Sequence, residues 1–129
     1  MGRDGTSEAD SISLPALTAR RRTDSPTVLI ADDDAGLRMS TRVALSAQGW
    51  TVFEASSPEE CLALAREHRP EVLLLDVNFE GYDRDGFAVC RELTAARDTK
   101  SIRVVLFTAS DDPENRAFAS AVGATAFIV

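Results

Sequence analysis

The sequence predicts an α/β fold: a doubly wound, five-stranded parallel sheet with helices on its faces. Three observations lead there. Short apolar runs stop abruptly at acids, as in Val28-Leu29-Ile30 before Asp32-Asp33-Asp34 and Leu73-Leu74-Leu75 before Asp76. Between such runs lie segments with helical spacing and recognisable ends. The two kinds of segment alternate from Thr27 to Val129, an order that calls for parallel strands joined by right-handed crossovers.

The elements follow in order. Val28 to Ile30 reads as a buried strand. The first helix carries Leu37, Val43, Ala44 and Ala47 at helical spacing, with Asp34 as its cap and Gly49 as its stop. Thr51-Val52-Phe53 is the second strand. Ser57-Pro58-Glu59-Glu60 opens the second helix: Ser57 caps, Pro58 suits the first helical position, and Glu60 completes a capping box. That helix ends before Pro70. Glu71 to Asp76 holds a run of large apolar residues and is expected to be a central strand covered on both faces. A polar loop, Asn78 to Asp85, leads to a third helix from about Gly86 to Ala96. Ile102 to Phe107 is the fourth strand. Asp112-Pro113-Glu114 starts a fourth helix that Gly123 ends, and Ala126 to Val129 begins a fifth strand. Residues 1–26, rich in Ser, Thr, Asp and Arg and closed by Pro26, are expected to be a flexible tail, with residues 27–129 as the folded domain.

Composition narrows the function. Hydrophobic residues make up 44% and charged residues 27% of the 129, ordinary values for a globular domain. No apolar run approaches the ~20 residues that span a bilayer, and no apolar stretch of signal-peptide type opens the chain, so no membrane partner is expected and the cytoplasm is the expected compartment. The net charge is −7, and because acids and arginines balance in residues 1–26, all of it falls on residues 27–129. Such a surface argues against direct nucleic-acid binding by the domain and suits a cation or a basic partner. Cys61 and Cys90 sit in helical patterns and read as reduced core residues; His68, beside Arg66 and Arg69, reads as a solvated helix-end residue. Arg38 and Arg42 on the first helix are candidate partner contacts.

In parallel sheets of this kind the ligand site lies at the carboxyl ends of the strands, near the point where strand order reverses. The first strand ends in Asp32-Asp33-Asp34, the third in Asp76 and the fourth in Thr108. Two carboxylates ~4 Å apart repel by ~4 kcal/mol at an effective dielectric of ~20, and a third adds to this. Asp34 is accounted for as a helix cap; Asp32, Asp33 and Asp76 are not. Hard carboxylate oxygens without His or Cys favour Mg²⁺ or Mn²⁺ over zinc, and a Mg²⁺ ion with open positions usually meets phosphate oxygens. A Mg²⁺-assisted phosphoryl site is the expectation, with the Thr108 hydroxyl as a hydrogen-bond donor.

Four segments, Val28-Leu29-Ile30-Ala31-Asp32-Asp33-Asp34, Leu73-Leu74-Leu75-Asp76-Val77, Asp85-Gly86-Phe87 and Phe107-Thr108-Ala109, together resemble the receiver domain of two-component response regulators, the CheY-like family, over about residues 27–129. The resemblance implies a flavodoxin-like fold with strand order 2-1-3-4-5. It implies Asp76 as the phosphoacceptor, attacking a phosphohistidine on a sensor histidine kinase or phosphotransfer protein. It implies Mg²⁺ held by Asp33, Asp76 and the backbone carbonyl of Asn78, with Asp32 acting through a metal-bound water. Thr108 would bond the phosphoryl group and move when it arrives, and Phe127 falls at the aromatic switch position. Such a domain catalyses only its own phosphorylation and dephosphorylation and relays a signal by changing shape.

The sequence departs from the family pattern in three places. Glu80 stands where a proline is usual, and the loop from Asp76 to Gly86 is two residues longer than common. The family's lysine after the fifth strand would follow Val129, as would its fifth helix, and the only lysine, Lys100, precedes the fourth strand. A helix of that kind buries three or four apolar side chains, roughly 1.5–3 kcal/mol each. The face it would cover is expected either to belong to a longer chain or to be covered by another chain, with a homodimer through that face as the specific expectation. Two other functions compete: a non-phosphorylatable receiver-like interaction module, and a Mg²⁺-dependent phosphohydrolase with an aspartyl nucleophile. The second is disfavoured by Asn78, which stands where such enzymes place a second Asp.

Overall fold

The computed structural model describes residues 25–110 and 112–129. The expected tail, with Ile12, Leu14, Leu17 and Arg20 to Arg22, lies outside the described residues except at its last two positions. Strands β1 (Thr27–Ala31), β2 (Thr51–Ala55), β3 (Val72–Asp76), β4 (Arg103–Phe107) and β5 (Ala126–Ile128) alternate with helices α1 (Ala35–Ala47), α2 (Pro58–His68), α3 (Gly86–Ala95) and α4 (Pro113–Ala121). Every pairing is parallel and the sheet order is β2-β1-β3-β4-β5, the topology expected. Chain order reverses between β1 and β3, which opens a crevice at their carboxyl ends. Ala31 pairs with Leu75, so Asp32 and Asp76 leave the sheet side by side.

Caps set the element boundaries. The Asp34 carboxylate accepts the N–H groups of Gly36 at 3.0 Å and Leu37 at 3.1 Å, starting α1. Ser57 Oγ accepts the Glu60 N–H at 3.1 Å, but the Glu60 carboxylate reaches one residue beyond a regular capping box, to the Ser56 N–H at 2.8 Å. Asp85 and Asp112 cap α3 and α4 through the N–H groups of Ala88 and Glu114. Gly49 takes φ of 94° after α1, a turn conformation that a side chain would strain.

The two faces of the sheet differ. Leu29, Leu73, Leu75 and Leu106 are fully buried on one face, packed with Cys61, Leu62 and Ala65 of α2, Val89, Cys90 and Leu93 of α3, and Ala119 of α4. On the other face α1 lies against Ile30, while Leu74 and Val105 are only half-buried. No residue of α1 is buried, and Leu37 is 49% and Val43 56% exposed. A cavity of about 330 Å³ lies between α1 and the sheet, lined by Ile30, Leu37, Thr41, Leu74, Val105, Phe107 and Ile128. The expectation that the third strand is covered on both faces therefore holds for Leu73 and Leu75 and fails for Leu74. Alternate side chains point to opposite faces, and among the described residues only α1 covers the second one.

His68 is exposed at the end of α2, as expected, and one face of its ring also stacks on Phe53 of β2, with centroids 4.0 Å apart and planes 11° from parallel. Cys61 and Cys90 are free and buried, as expected.

Candidate functional site

The three consecutive aspartates after β1 do three different things. Asp34 caps α1. Asp32 is 2% exposed and its carboxylate accepts the Asp34 N–H at 2.9 Å. Asp33 is exposed, and its carboxylate accepts the Glu80 N–H at 3.3 Å, tying the β1–α1 loop to the β3–α3 loop. Asp76, at the end of β3, accepts the Asn78 N–H at 3.2 Å. One carboxylate oxygen from each of Asp32, Asp33 and Asp76 lies within 4.8 Å of the others. Asn78 is exposed and lines an open depression of about 410 Å³ with Asp33, Asp34, Asp76 and Glu80.

Thr108 is buried just beyond β4; its N–H donates to the Ile128 carbonyl at 3.1 Å and its hydroxyl accepts the Ser110 N–H at 3.2 Å. It shares the wall of the apolar cavity with Asp32, not the wall of the acidic depression. Phe127 is half-buried in β5 opposite Leu106, with the Arg116 guanidinium 5.5 Å above its ring, and it does not line the acidic depression. Lys100 is exposed and precedes β4, at the amino ends of the strands, opposite the end that carries the acids.

Burial is the main cause that raises the Asp32 carboxyl above its ordinary range, and the neighbouring charge of Asp33 adds to it. Burial likewise raises Asp76, to about 6, with the charges of Asp32 and Asp33 pushing the same way and the Asn78 N–H opposing. The donor set is three hard oxygens with neither imidazole nor thiolate, and burial and neighbouring charge disfavour the ionised form of Asp32 and Asp76. A small hard divalent cation fits both conditions.

The β3–α3 loop is packed despite its length. Phe79 is 5% exposed and points inward, while Tyr82 is 45% exposed. Arg84 pairs with Glu92 of α3 at 3.0 Å, and Arg66 of α2 holds the other Glu92 oxygen. Gly86 closes the loop: its N–H donates to the Val77 carbonyl at 2.7 Å, and a Cβ there would fall 2.2 Å from the Asp76 carbonyl oxygen. The Asp85-Gly86 pair thus joins a cap to a close backbone approach directly behind Asp76.

Arg38, a candidate partner contact from its place on the first helix, turns its guanidinium inward and donates to the Asp32 carbonyl at 2.6 Å. Its Nε lies 3.3 Å from Glu54 of β2, whose other carboxylate oxygen is 2.8 Å from Arg42 Nε. The spacing puts Arg38 on the first turn of α1, near the end of β1, but carries no sign of the direction its side chain takes.

A family model, the response regulator receiver domain, matches residues 28–129. The chain belongs to the response regulator receiver domain family. This receiver domain is 39% identical over 87 residues to the transcriptional regulatory protein AfsQ1 of Streptomyces coelicolor, covering 67% of this chain and 36% of that protein. Its structure resembles chemotaxis protein CheY4 of Vibrio cholerae, with a TM-score of 0.76 and 28% identity over 82% of this chain and 87% of that one. A CheY-like receiver domain protein from Methanospirillum hungatei gives a TM-score of 0.74 at 26% identity, covering 81% of each chain. The chain spans less than half the length of the curated relatives it matches, 36%, 38% and 43% for three of them. Receiver domains are signalling modules of two-component systems, and among the described residues no helix is long and apolar enough to cross a membrane.

Proposed function

We propose that this receiver domain accepts a phosphoryl group on Asp76 from a histidine kinase or a phosphotransfer protein, and relays the signal by a change in shape. The convergence of Asp32, Asp33 and Asp76 within 4.8 Å is the observation that carries this reading. Asp33, Asp76 and the Asn78 carbonyl would hold Mg²⁺, with Asp32 acting through its bound water. When bound, the ion neutralises the acids and stabilises charge on the transferred group. Phosphoryl transfer asks a protein mainly for positioning and charge compensation; the chain's residues supply the positioning, and the cation they would hold supplies the compensation. Asp76 presents a carboxylate oxygen to the open depression while the Asn78 N–H steadies that carboxylate, and the buried Asp32 stands beside it.

Thr108 would reorient to donate its hydroxyl to the new phosphoryl oxygens, giving up its bond from Ser110, and the Phe127 ring would follow. A dianionic group with new acceptors biases such two-state loops. The domain spans residues 27–129, acts in the cytoplasm, catalyses only its own modification, and pairs with a second copy through the face beside α1.

Intact-mass measurement after treatment with acetyl phosphate and Mg²⁺ tests the proposal. One added phosphoryl group, absent in Asp76→Asn, is expected. An unchanged mass in the wild-type chain would favour a receiver-like module that binds partners without modification.

A further inference from the structure

We propose that Arg38 is a positioning residue of the acidic cluster: gripped by Glu54, it fixes the Asp32–Asp33 peptide and so the direction in which Asp33 offers its carboxylate to a divalent cation. The inference rests on the cation-binding reading above and adds to it a residue that touches neither cation nor phosphoryl group.

Asp32 is held at every polar group it has. Its N–H donates to the Ala55 carbonyl at 3.0 Å, its carboxylate accepts the Asp34 N–H at 2.9 Å, and its carbonyl accepts Arg38 Nη1 at 2.6 Å. The peptide linking residues 32 and 33 is planar, so fixing the carbonyl of one fixes the N–H and Cα direction of the next. Asp33 is exposed; its carboxylate accepts the Glu80 N–H at 3.3 Å, and the peptide that follows it is tied to Asp32 through the Asp34 N–H at 2.9 Å. The Arg38 bond is the shortest of these restraints on the β1–α1 loop and the one that holds the carbonyl of the peptide from which Asp33 projects. Arg38 can act as a restraint because it is itself restrained: its side chain is 17% exposed and its Nε lies 3.3 Å from Glu54 Oε1. Outer partners that orient metal ligands in this way carry a large share of affinity in metal sites generally.

A charge argument gives the opposite sign. A guanidinium repels a cation, so if Arg38 acted by charge its removal would tighten metal binding. Arg42 supplies the control, since it carries the same charge, lies on the same helix and shares Glu54, with no bond to Asp32 among the described contacts.

The test is a MgCl₂ titration of the whole chain without any phosphodonor, followed by the amide resonances of Asn78 and Glu80. Arg38→Gln and Glu54→Gln are each expected to weaken Mg²⁺ binding by about tenfold. Arg38→Lys, which keeps the charge and loses the planar fork, is expected to weaken it less, and Arg42→Gln should not weaken it. Unchanged or tighter binding in Arg38→Gln would overturn the proposal, as would equal weakening by Arg42→Gln. If Arg38→Gln fails to fold, Arg38→Lys decides, because it keeps the charge and loses the fork: weaker binding supports the proposal, and unchanged or tighter binding overturns it. Absence of Mg²⁺ binding by the wild-type chain would instead sink the cation reading, and this inference with it.

Discussion

Leu73 and Leu74 are neighbours in one strand and of one residue type, yet Leu73 is fully buried while Leu74 is partly exposed. The first faces a layer of three helices, α2, α3 and α4; the second faces α1 and a cavity of about 330 Å³. A run of leucines measures the capacity for burial, and what lies opposite each face decides how much of that capacity is used. The acidic cluster sits on this boundary, with Asp32 reaching the wall of the open cavity and Asp76 rising from a strand packed tightly on the other side.

The contrast can be broken at either face. Leu73→Ala should cost about 2–5 kcal/mol in urea unfolding, because the packed layer cannot collapse into the space left behind. Gly86→Ala should cost about 1–3 kcal/mol, since the added methyl meets backbone at Asp76 and Val77 that cannot step aside, and it should also shift the Asn78 amide resonance. Leu74→Ala should cost about 1 kcal/mol or less, as only part of that side chain has left water. A loss at Leu74 equal to that at Leu73 would show that the second face is covered in solution. Sedimentation sharpens the point: a dimer through this face should return to monomer in Ile128→Glu, a residue 55% exposed beside the cavity.

The smallest effect concerns protons. The Asp76 carboxyl lies at about 6 in the fold, above its ordinary value of ~3.9 in an unfolded chain. The folded state therefore binds the extra proton between those values, and stability from this group is fully present below ~4 and lost as pH rises through about 6. Without divalent cations, the urea midpoint should fall between pH 5 and pH 7 by less in Asp76→Asn than in the wild-type chain.

The order of elements was readable in the sequence because caps and strand-end acids mark it redundantly: Asp34, Ser57 with Pro58, Asp85 and Asp112 each open a helix where expected. The meeting of Asp32 and Asp33 with Asp76 was also readable, since parallel strands with one register bring their carboxyl ends together. Three things were not. The partial exposure of Leu74 depends on what covers the sheet, which strand composition does not encode. The inward turn of Arg38 depends on Glu54, sixteen residues away on a neighbouring strand, and a charged side chain on a helix gives no sign of which way it leans. The stacking of His68 on Phe53 was hidden for the same reason.

The two thiols carry one last consequence. Cys61 and Cys90 belong to the helices of the packed layer, both are fully shielded, and burial pushes them up to about 12 and about 11. Since only the thiolate reacts, neither should take an alkylating reagent while the layer stays shut. Their rates of capture would clock how often α2 and α3 lift from the sheet, a native stopwatch that requires no label or added residue.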